Sequence, residues 1–148
     1  MAVNARGMVA CVKHAVNAMV EGHVRGSIIC TASVVATRGT KNTIDYTMPK
    51  HAVLGLVRSA SLQVDSYGIR VNCVSPGSVG TQLMKDMLKT EDDEEADKAV
   101  ESTSNLKGGR VLMPKNVADA VVFLASEDSQ FVTCHNLEVH AGFKFRDD

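Results

Sequence analysis

Residues 27–33 read SIICTAS, and residues 69–74 read IRVNCV. Both runs are short and largely apolar, the first behind Gly26 and the second between Gly68 and Pro76. Such runs are typical of strands that are buried on both faces, as in parallel sheets covered by helices. The two runs therefore predict buried parallel strands in an α/β fold.

Helical periodicity surrounds these strands. Apolar residues repeat at helical spacing over 8–19, again from Asp45 until the Tyr67-Gly68 pair, and a third time over 117–125. Residues 81–105, which include an acidic run, indicate a partly exposed helical excursion, and a last strand is predicted over 136–139. This alternation predicts parallel strands joined by right-handed crossovers.

Composition is that of a globular domain. The chain has 148 residues, of which 45% are hydrophobic and 22% charged, and its net charge is −1. It is too apolar for a disordered chain and lacks the basic excess of nucleic-acid binders. Its apolar runs are shorter than the ~18–20 residues of a membrane-spanning helix. We therefore expect one domain over residues 1–148, without nucleic acid or membrane as a partner.

Cysteine and histidine residues are scattered along the sequence. The four cysteines, Cys11, Cys30, Cys73 and Cys134, contain no C-x-x-C pair, and the five histidines form no ligand cluster. Isolated thiols in apolar segments usually behave as small hydrophobic side chains. This pattern predicts neither disulfides nor a metal site. Together with the lack of a signal-peptide layout at the N-terminus, it predicts a cytoplasmic protein.

Three polar residues are candidates for catalysis. Tyr46 and Lys50 are four positions apart at the start of a predicted helix and share one face, and Ser33 ends a predicted strand. A tyrosine is a weak acid, and a neighbouring ammonium favours its phenolate form. The trio therefore suits general acid–base chemistry at a carbon–oxygen centre. The structural alternative is a half-buried tyrosine beside a solvated lysine.

Several motifs carry a resemblance to a known family. They are NARG at residues 4–7, the ordered trio Ser33, Tyr46 and Lys50, GIRVN at residues 68–72, and PGSVGT at residues 76–81. Over nearly its whole length the chain resembles the C-terminal part of the short-chain dehydrogenase/reductase family. It looks most similar to plant members that act on terpenoid, xanthoxin-like and lignan alcohols. The resemblance implies the C-terminal portion of a Rossmann-like, doubly wound parallel sheet, without its N-terminal βαβ nucleotide-binding half.

The resemblance also implies an activity, which is hydride transfer between NAD or NADP and a secondary alcohol or ketone. Tyr46 would exchange the hydroxyl proton, and Lys50 would support Tyr46 and bind the nicotinamide ribose. Ser33 would orient the substrate oxygen, and Asn4 would hold a water that relays protons from Lys50. The cofactor supplies the redox chemistry, and the protein orients it.

Two further segments acquire roles from the resemblance. Within the segment Pro76, Gly77, Val79 and Thr81, the Val79 backbone and the Thr81 hydroxyl would hold the nicotinamide carboxamide. The excursion after Thr81 would cover the substrate. Its apolar residues Leu83, Met84 and Met87 either line the substrate site or belong to the core.

Four features depart from the family pattern. The glycine-rich turn that seats the pyrophosphate has no counterpart in the sequence. Pro49 directly precedes Lys50 and can change its direction. Cys134 stands where the family usually has glycine, and His140-Ala141 stands where it has Asp-Gly. The missing turn predicts a truncated chain, and the other three departures agree with a decayed catalytic site.

The departures leave three hypotheses open. The first is an NAD(P)-dependent oxidoreductase, either truncated or working with a missing segment that is supplied elsewhere, and we expect it to form a homo-oligomer or to pair with a full-length homologue. The second is a catalytically inactive fragment that acts as an interaction module. In the family, the helices matching residues 3–20 and 45–66 pack across a dimer interface, so such a fragment could pair with a full-length homologue. The third is an unrelated small α/β protein in which the four catalytic matches are coincidental.

Overall fold

The computed structural model describes residues 2–41, 43–106 and 111–143. Its helices and strands follow the predicted order. They are α1 (Met8–Glu21), β1 (Ser27–Thr31), α2 (Ile44–Val64), β2 (Arg70–Pro76), α3 (Gln82–Leu88), α4 (Asp93–Ser102), α5 (Pro114–Ala125) and β3 (Asn136–Val139). A π-helical turn, Ala2–Gly7, precedes α1. No helix within the described ranges is long and apolar enough to cross a membrane.

The three strands form one parallel sheet in the order β1-β2-β3. Cys30 of β1 lies opposite Cys73 of β2, and Cys73 in turn lies opposite Asn136 of β3. Each pair of neighbouring strands is joined through helices, as parallel pairing requires. The predicted α/β fold with a parallel sheet is confirmed.

Helices cover the sheet in layers. Val12 of α1 and Val53, Leu54 and Val57 of α2 pack in one core cluster with alternate residues of β1 and β2. Helix α5 contacts all three strands, and its fully buried Leu124 lies outside that cluster. Because side chains alternate between the faces of a strand, this arrangement matches a sheet wound on both faces.

The polar residues of the GIRVN motif fasten β2 to the end of α5 and to the chain that follows it. Arg70 donates hydrogen bonds to the carbonyl oxygens of Leu124 (2.9 Å) and Val132 (3.2 Å). Asn72, which is fully buried, donates to Val132 O (2.8 Å) and accepts from His135 N (3.0 Å). A buried amide with both ends satisfied fixes the position of β2, which carries the PGSVGT segment at its carboxyl end.

The acidic excursion forms two short helices. Lys89, at φ +57°, ends α3, and the Asp92 side chain accepts a hydrogen bond from Glu94 N (2.9 Å) at the start of α4. An ion pair between Lys85 and Asp93 connects the two helices. The hydrogen bond that Lys85 donates to Asp93 raises the pKa of Lys85. The break at Lys89 follows from its left-handed backbone, since such a residue cannot continue an α-helix.

Candidate active site

A cavity of about 710 Å³ lies at the carboxyl ends of the strands. Its lining comes from the residues after β1, the start of α2, the segment after β2, helix α3, the start of α5, and Phe143 after β3. Ligands bind outside the carboxyl ends of the strands in open parallel sheets of this kind. The cavity contains seven of the eight residues that the sequence predicts as site residues.

Ser33 is held in a fixed turn directly after β1. It has an extended backbone and caps the 3₁₀ turn Val34–Ala36, where its Oγ accepts a hydrogen bond from Val35 N (3.4 Å). The residue is only 8% exposed, yet it lines the cavity. Because this contact uses Oγ as an acceptor, the hydroxyl hydrogen can be donated to an oxygen atom in the cavity.

Tyr46 and Lys50 lie one turn apart on α2 and both line the cavity. The Lys50 Nζ atom is 5.5 Å from the centroid of the Tyr46 ring and donates a hydrogen bond to Thr31 O (3.2 Å). Partial burial lowers the pKa of Lys50. The lysine therefore binds both the carboxyl end of β1 and the face of the phenol, which is more than the solvated lysine of the structural alternative would do.

Pro49 does not turn Lys50 away from the cavity. The proline is buried inside α2, and Met48 before it keeps helical geometry. A proline inside a helix removes one hydrogen bond, here between its missing N–H and the carbonyl of Asp45. Since α2 begins at Ile44, this loss falls near the start of the helix, and the helix continues to Val64.

The segment after β2 forms another part of the cavity wall. Pro76, Gly77, Ser78 and Val79 all line it, as does Thr81, whose Oγ1 donates a hydrogen bond to Val79 O (3.3 Å). A Cβ atom at Gly77 would lie 2.8 Å from His140 Cβ. Only a residue without a side chain fits there unless His140 moves, so the glycine allows this close approach.

Asn4 is the predicted site residue that the structure places elsewhere. It lies exposed in the π-helical turn Ala2–Gly7, which contacts α2, and it does not line the cavity. A π-helical turn is often found at functional sites. The role of Asn4 in holding a water stays a prediction.

The apolar part of the cavity comes largely from α3. Leu83, Met84 and Met87 all line the cavity, and α3 contains no buried residue. Of the two alternatives for these residues, the structure therefore supports lining over core. Pro114 and Val117 of α5 and Phe143 complete this surface, and no motif in the sequence indicated them.

Two of the departures from the family pattern coincide with unusual backbone geometry. Cys134 has φ +59° and Ala141 has φ +50°, in the left-handed region that favours glycine. Both positions are places where the resemblance leads one to expect glycine. The chain thus keeps the local backbone conformation with residues that adopt it at some cost.

A family model described as enoyl-(acyl carrier protein) reductase matches residues 1–144. The chain is 51% identical to (+)-cis,trans-nepetalactol synthase NEPS1 of Nepeta racemosa over 143 residues, which cover 96% of this chain and 52% of that protein. It is 47% identical to short-chain dehydrogenase reductase 5 of Arabidopsis thaliana, with 97% and 54% covered. It is 48% identical to the mitochondrial (−)-isopiperitenol/(−)-carveol dehydrogenase of Mentha piperita, again with 97% and 54% covered.

Solved structures share the fold. A 4-hydroxyisoleucine dehydrogenase complexed with NADH superposes with a TM-score of 0.82 at 23% identity, covering 95% of this chain and 56% of that one. Levodione reductase gives a TM-score of 0.81 at 29% identity, with 94% and 54% covered. The chain thus spans about half the length of the relatives it matches. With a family model over residues 1–144 and relatives of this similarity, the chain belongs to the short-chain dehydrogenase/reductase family.

Proposed function

We propose that this chain carries the catalytic site of an oxidoreductase that uses NAD or NADP to interconvert a secondary alcohol and a ketone. The observation that carries the proposal is the convergence of Ser33, Tyr46 and Lys50 on one cavity with the Pro76–Val79 segment. These side chains come from two separate elements, the end of β1 and the start of α2. The spacing of residues along one helix cannot bring Ser33 next to Tyr46 and Lys50, so their common position results from the tertiary fold.

The segment after β2 fits the nicotinamide end of the cofactor. Val79, Thr81 and Lys50 line the cavity. The Val79 backbone and the Thr81 hydroxyl would hold the carboxamide, while Lys50 would bind the ribose. The oxygen of Thr81 already donates its hydrogen to Val79 O, which leaves its lone pairs to accept a carboxamide N–H. When bound, the nicotinamide supplies or accepts the hydride.

The residues of the chain handle the proton. In the direction of reduction, Tyr46 donates its hydroxyl proton to the substrate oxygen as the hydride reaches the carbonyl carbon, and a phenolate remains. Lys50, whose ammonium lies 5.5 Å from the ring centroid, stabilises that phenolate. Ser33 donates a hydrogen bond to the same substrate oxygen. In the direction of oxidation the proton returns to Tyr46.

The lining of the cavity supports a small apolar substrate, such as a terpenoid or lignan alcohol. Leu83, Met84, Met87 and Phe143 line the cavity together with the polar side chains of Ser33, Tyr46 and Lys50. Ligand sites of this type combine an apolar wall with a few polar groups that fix orientation. The Mentha relative, named for isopiperitenol and carveol, agrees with this substrate class.

A second candidate is an interaction module built on α1 and α2, acting as a homo-oligomer or by pairing with a longer homologue. The supporting observation is the exposure of apolar residues on these helices, namely Val9 (49%), Met48 (50%) and Leu62 (73%). Exposed apolar surface of this kind marks an interface when it is contiguous. A chain that forms oligomers in light scattering but binds no NADH would favour this function over the first.

The proposed activity is tested by removing one oxygen atom. Tyr46→Phe should lower turnover of carveol with NAD or NADP by about 10²–10⁴-fold, since the proton donor is lost. The matched control is Tyr67→Phe, because Tyr67 is 54% exposed and does not line the cavity. Turnover is followed by the absorbance of the reduced nicotinamide. Full activity of Tyr46→Phe beside an active wild type would exclude the assigned role.

A further inference from the structure

A chain of hydrogen bonds runs along one face of β3 and ends at the cavity. Ser75 Oγ donates to Asn136 Oδ1 (2.6 Å), and Asn136 Nδ2 donates to Glu138 Oε1 (3.5 Å). Glu138 also accepts from Thr37 Oγ1 (3.3 Å). Its second oxygen, Oε2, lies 3.1 Å from Nε2 of His140. Asn136 and Glu138 are two positions apart and share one face of β3, and His140 directly follows the strand.

The two neighbours of His140 fix its tautomer. Its Nδ1 atom accepts a hydrogen bond from Phe143 N (2.8 Å), so Nδ1 carries no proton. Nε2 then carries the hydrogen and donates it to the Glu138 carboxylate. The Glu138 carboxylate therefore orients the imidazole ring, and the ring in turn holds the backbone of Phe143.

The turn that His140 closes is strained, and it is hydrogen-bonded to the residues that follow α4. Ala141 (φ +50°) and Gly142 (φ +70°) are both left-handed, and a left-handed alanine persists only when its surroundings fix it. The carbonyl oxygen of Ala141 accepts hydrogen bonds from Asn105 N (3.2 Å) and Leu106 N (3.0 Å), just after α4. The turn is therefore tied to the end of the excursion that begins with α3.

Phe143 places this turn in the cavity wall. The residue lines the cavity and its Cδ2 atom would lie 3.2 Å from a Cβ atom at Gly77, which is part of the proposed nicotinamide segment. It also forms a β-bridge with Ser104. Phe143 thus lies between the cofactor side of the cavity and the end of the excursion, where a shift of its backbone changes the space for a substrate.

We propose that His140 is a positioning residue that, oriented by Glu138, holds Phe143 in the cavity wall and thereby sets the preference of the site for large apolar substrates over small ones. His140 itself does not line the cavity. The contact through which His140 acts is the hydrogen bond from Phe143 N to Nδ1. This inference deepens the proposed function, and its activity readout rests on that function.

Two substitutions test the hydrogen bonds of the two ring nitrogens of His140 separately. In His140→Asn the amide oxygen can take the place of Nδ1 and accept from Phe143 N, whereas in His140→Gln the longer amide reaches toward Glu138 and the acceptor for Phe143 is lost. His140→Gln should lower kcat/KM for carveol by about tenfold, which corresponds to the loss of one neutral hydrogen bond. It should change kcat/KM for cyclohexanol by less than about threefold. His140→Asn should keep the wild-type ratio of the two substrates.

A second measurement does not depend on turnover. The chain has four phenylalanines, so labelling with [¹⁵N]phenylalanine gives a short amide spectrum in which Phe143→Leu identifies the Phe143 signal. We expect the hydrogen-bonded Phe143 amide shift in wild type and His140→Asn, and its loss in His140→Gln. The ring nitrogens of His140 should show the Nε2–H tautomer.

The outcomes are distinct. Equal substrate ratios in wild type and His140→Gln, or an unshifted Phe143 amide in His140→Gln, would overturn the proposal, as would His140→Asn behaving like His140→Gln. If the wild type turns over neither alcohol but the amide results appear as expected, the proposed activity fails while the His140–Phe143 contact stands. An absent Nε2–H tautomer would refute the contact itself.

Discussion

The two sides of the cavity are built in opposite ways. On the chemical side, Ser33 is 8% exposed and Leu54 of α2 is 3% exposed, and side chains of α1, α2, β1 and β2 form one core cluster. On the substrate side, Leu83 is 61% exposed and Met87 is 64% exposed, and α3 buries no residue. Groups that transfer a proton need fixed positions, which a packed core supplies. Groups that contact a variable apolar substrate lie on α3, where a substitution does not disturb the core.

The largest expected effect compares the same substitution on the two sides. Leu54→Ala removes a buried side chain from the core under Tyr46 and Lys50, and we expect it to lower the free energy of unfolding by about 2–5 kcal/mol. Leu83→Ala removes an exposed side chain and should change it by less than about 0.5 kcal/mol. Urea denaturation of both variants measures the difference. Similar losses in the two variants would contradict the division of the cavity into a packed and an exposed side.

The cysteines report on the packed side without a mutation. Burial raises the pKa of Cys30 to about 11 and that of Cys73 to about 12, from 9.0 for an ordinary thiol, and nearby thiols contribute to both shifts. At pH 8 a shift from 9.0 to 11 lowers the thiolate fraction about 100-fold, and thiolate is the reactive form.

Thiol titration with a disulfide reagent at pH 8 should therefore show two fast groups, the exposed Cys11 and Cys134, and two at least about 100-fold slower. Guanidinium should make all four react fast. Folding raises the pKa of both buried thiols above the value of 9.0 that they have in the unfolded chain. Their contribution to the free energy of unfolding is therefore fully present below pH 9.0 and is lost as the pH rises through about 11 and 12. Three or four fast thiols in the native chain would contradict the buried positions of Cys30 and Cys73.

Much of the chemical side could be predicted from sequence because local patterns determine it. The apolar runs at residues 27–33 and 69–74 have the length and composition of buried strands, and Tyr46 and Lys50 share a face at any regular helical geometry. The place of Ser33 at the end of a predicted strand indicated that it can converge with them, and the family resemblance supplied their separate roles. The structure agrees because β1 and α2 are successive elements of a parallel fold.

The substrate side could not be predicted in the same way. Phe143, Pro114 and Val117 reach the cavity only through tertiary packing from elements that are distant in sequence. Likewise, the bridge from Glu138 through His140 to Phe143 depends on a turn with two left-handed residues. One of these is an alanine, whose own propensity does not predict a left-handed backbone, and only the glycine that the family resemblance places at this position indicates it. Even the break of the acidic excursion at Lys89 required a left-handed lysine that propensity does not predict.

The smallest expected effect sharpens the comparison within the exposed side. Met87→Ala removes a side chain that lines the cavity, whereas Leu88→Ala removes one that is 40% exposed and does not line it. If α3 contacts the substrate, Met87→Ala should raise KM for carveol about threefold to tenfold and leave kcat unchanged, since a wall contact is present in both ground and transition states. Steady-state kinetics should show no such rise for Leu88→Ala. A fall in kcat for Met87→Ala would mean that α3 also positions the reacting atoms, and the two sides of the cavity would then share the chemistry.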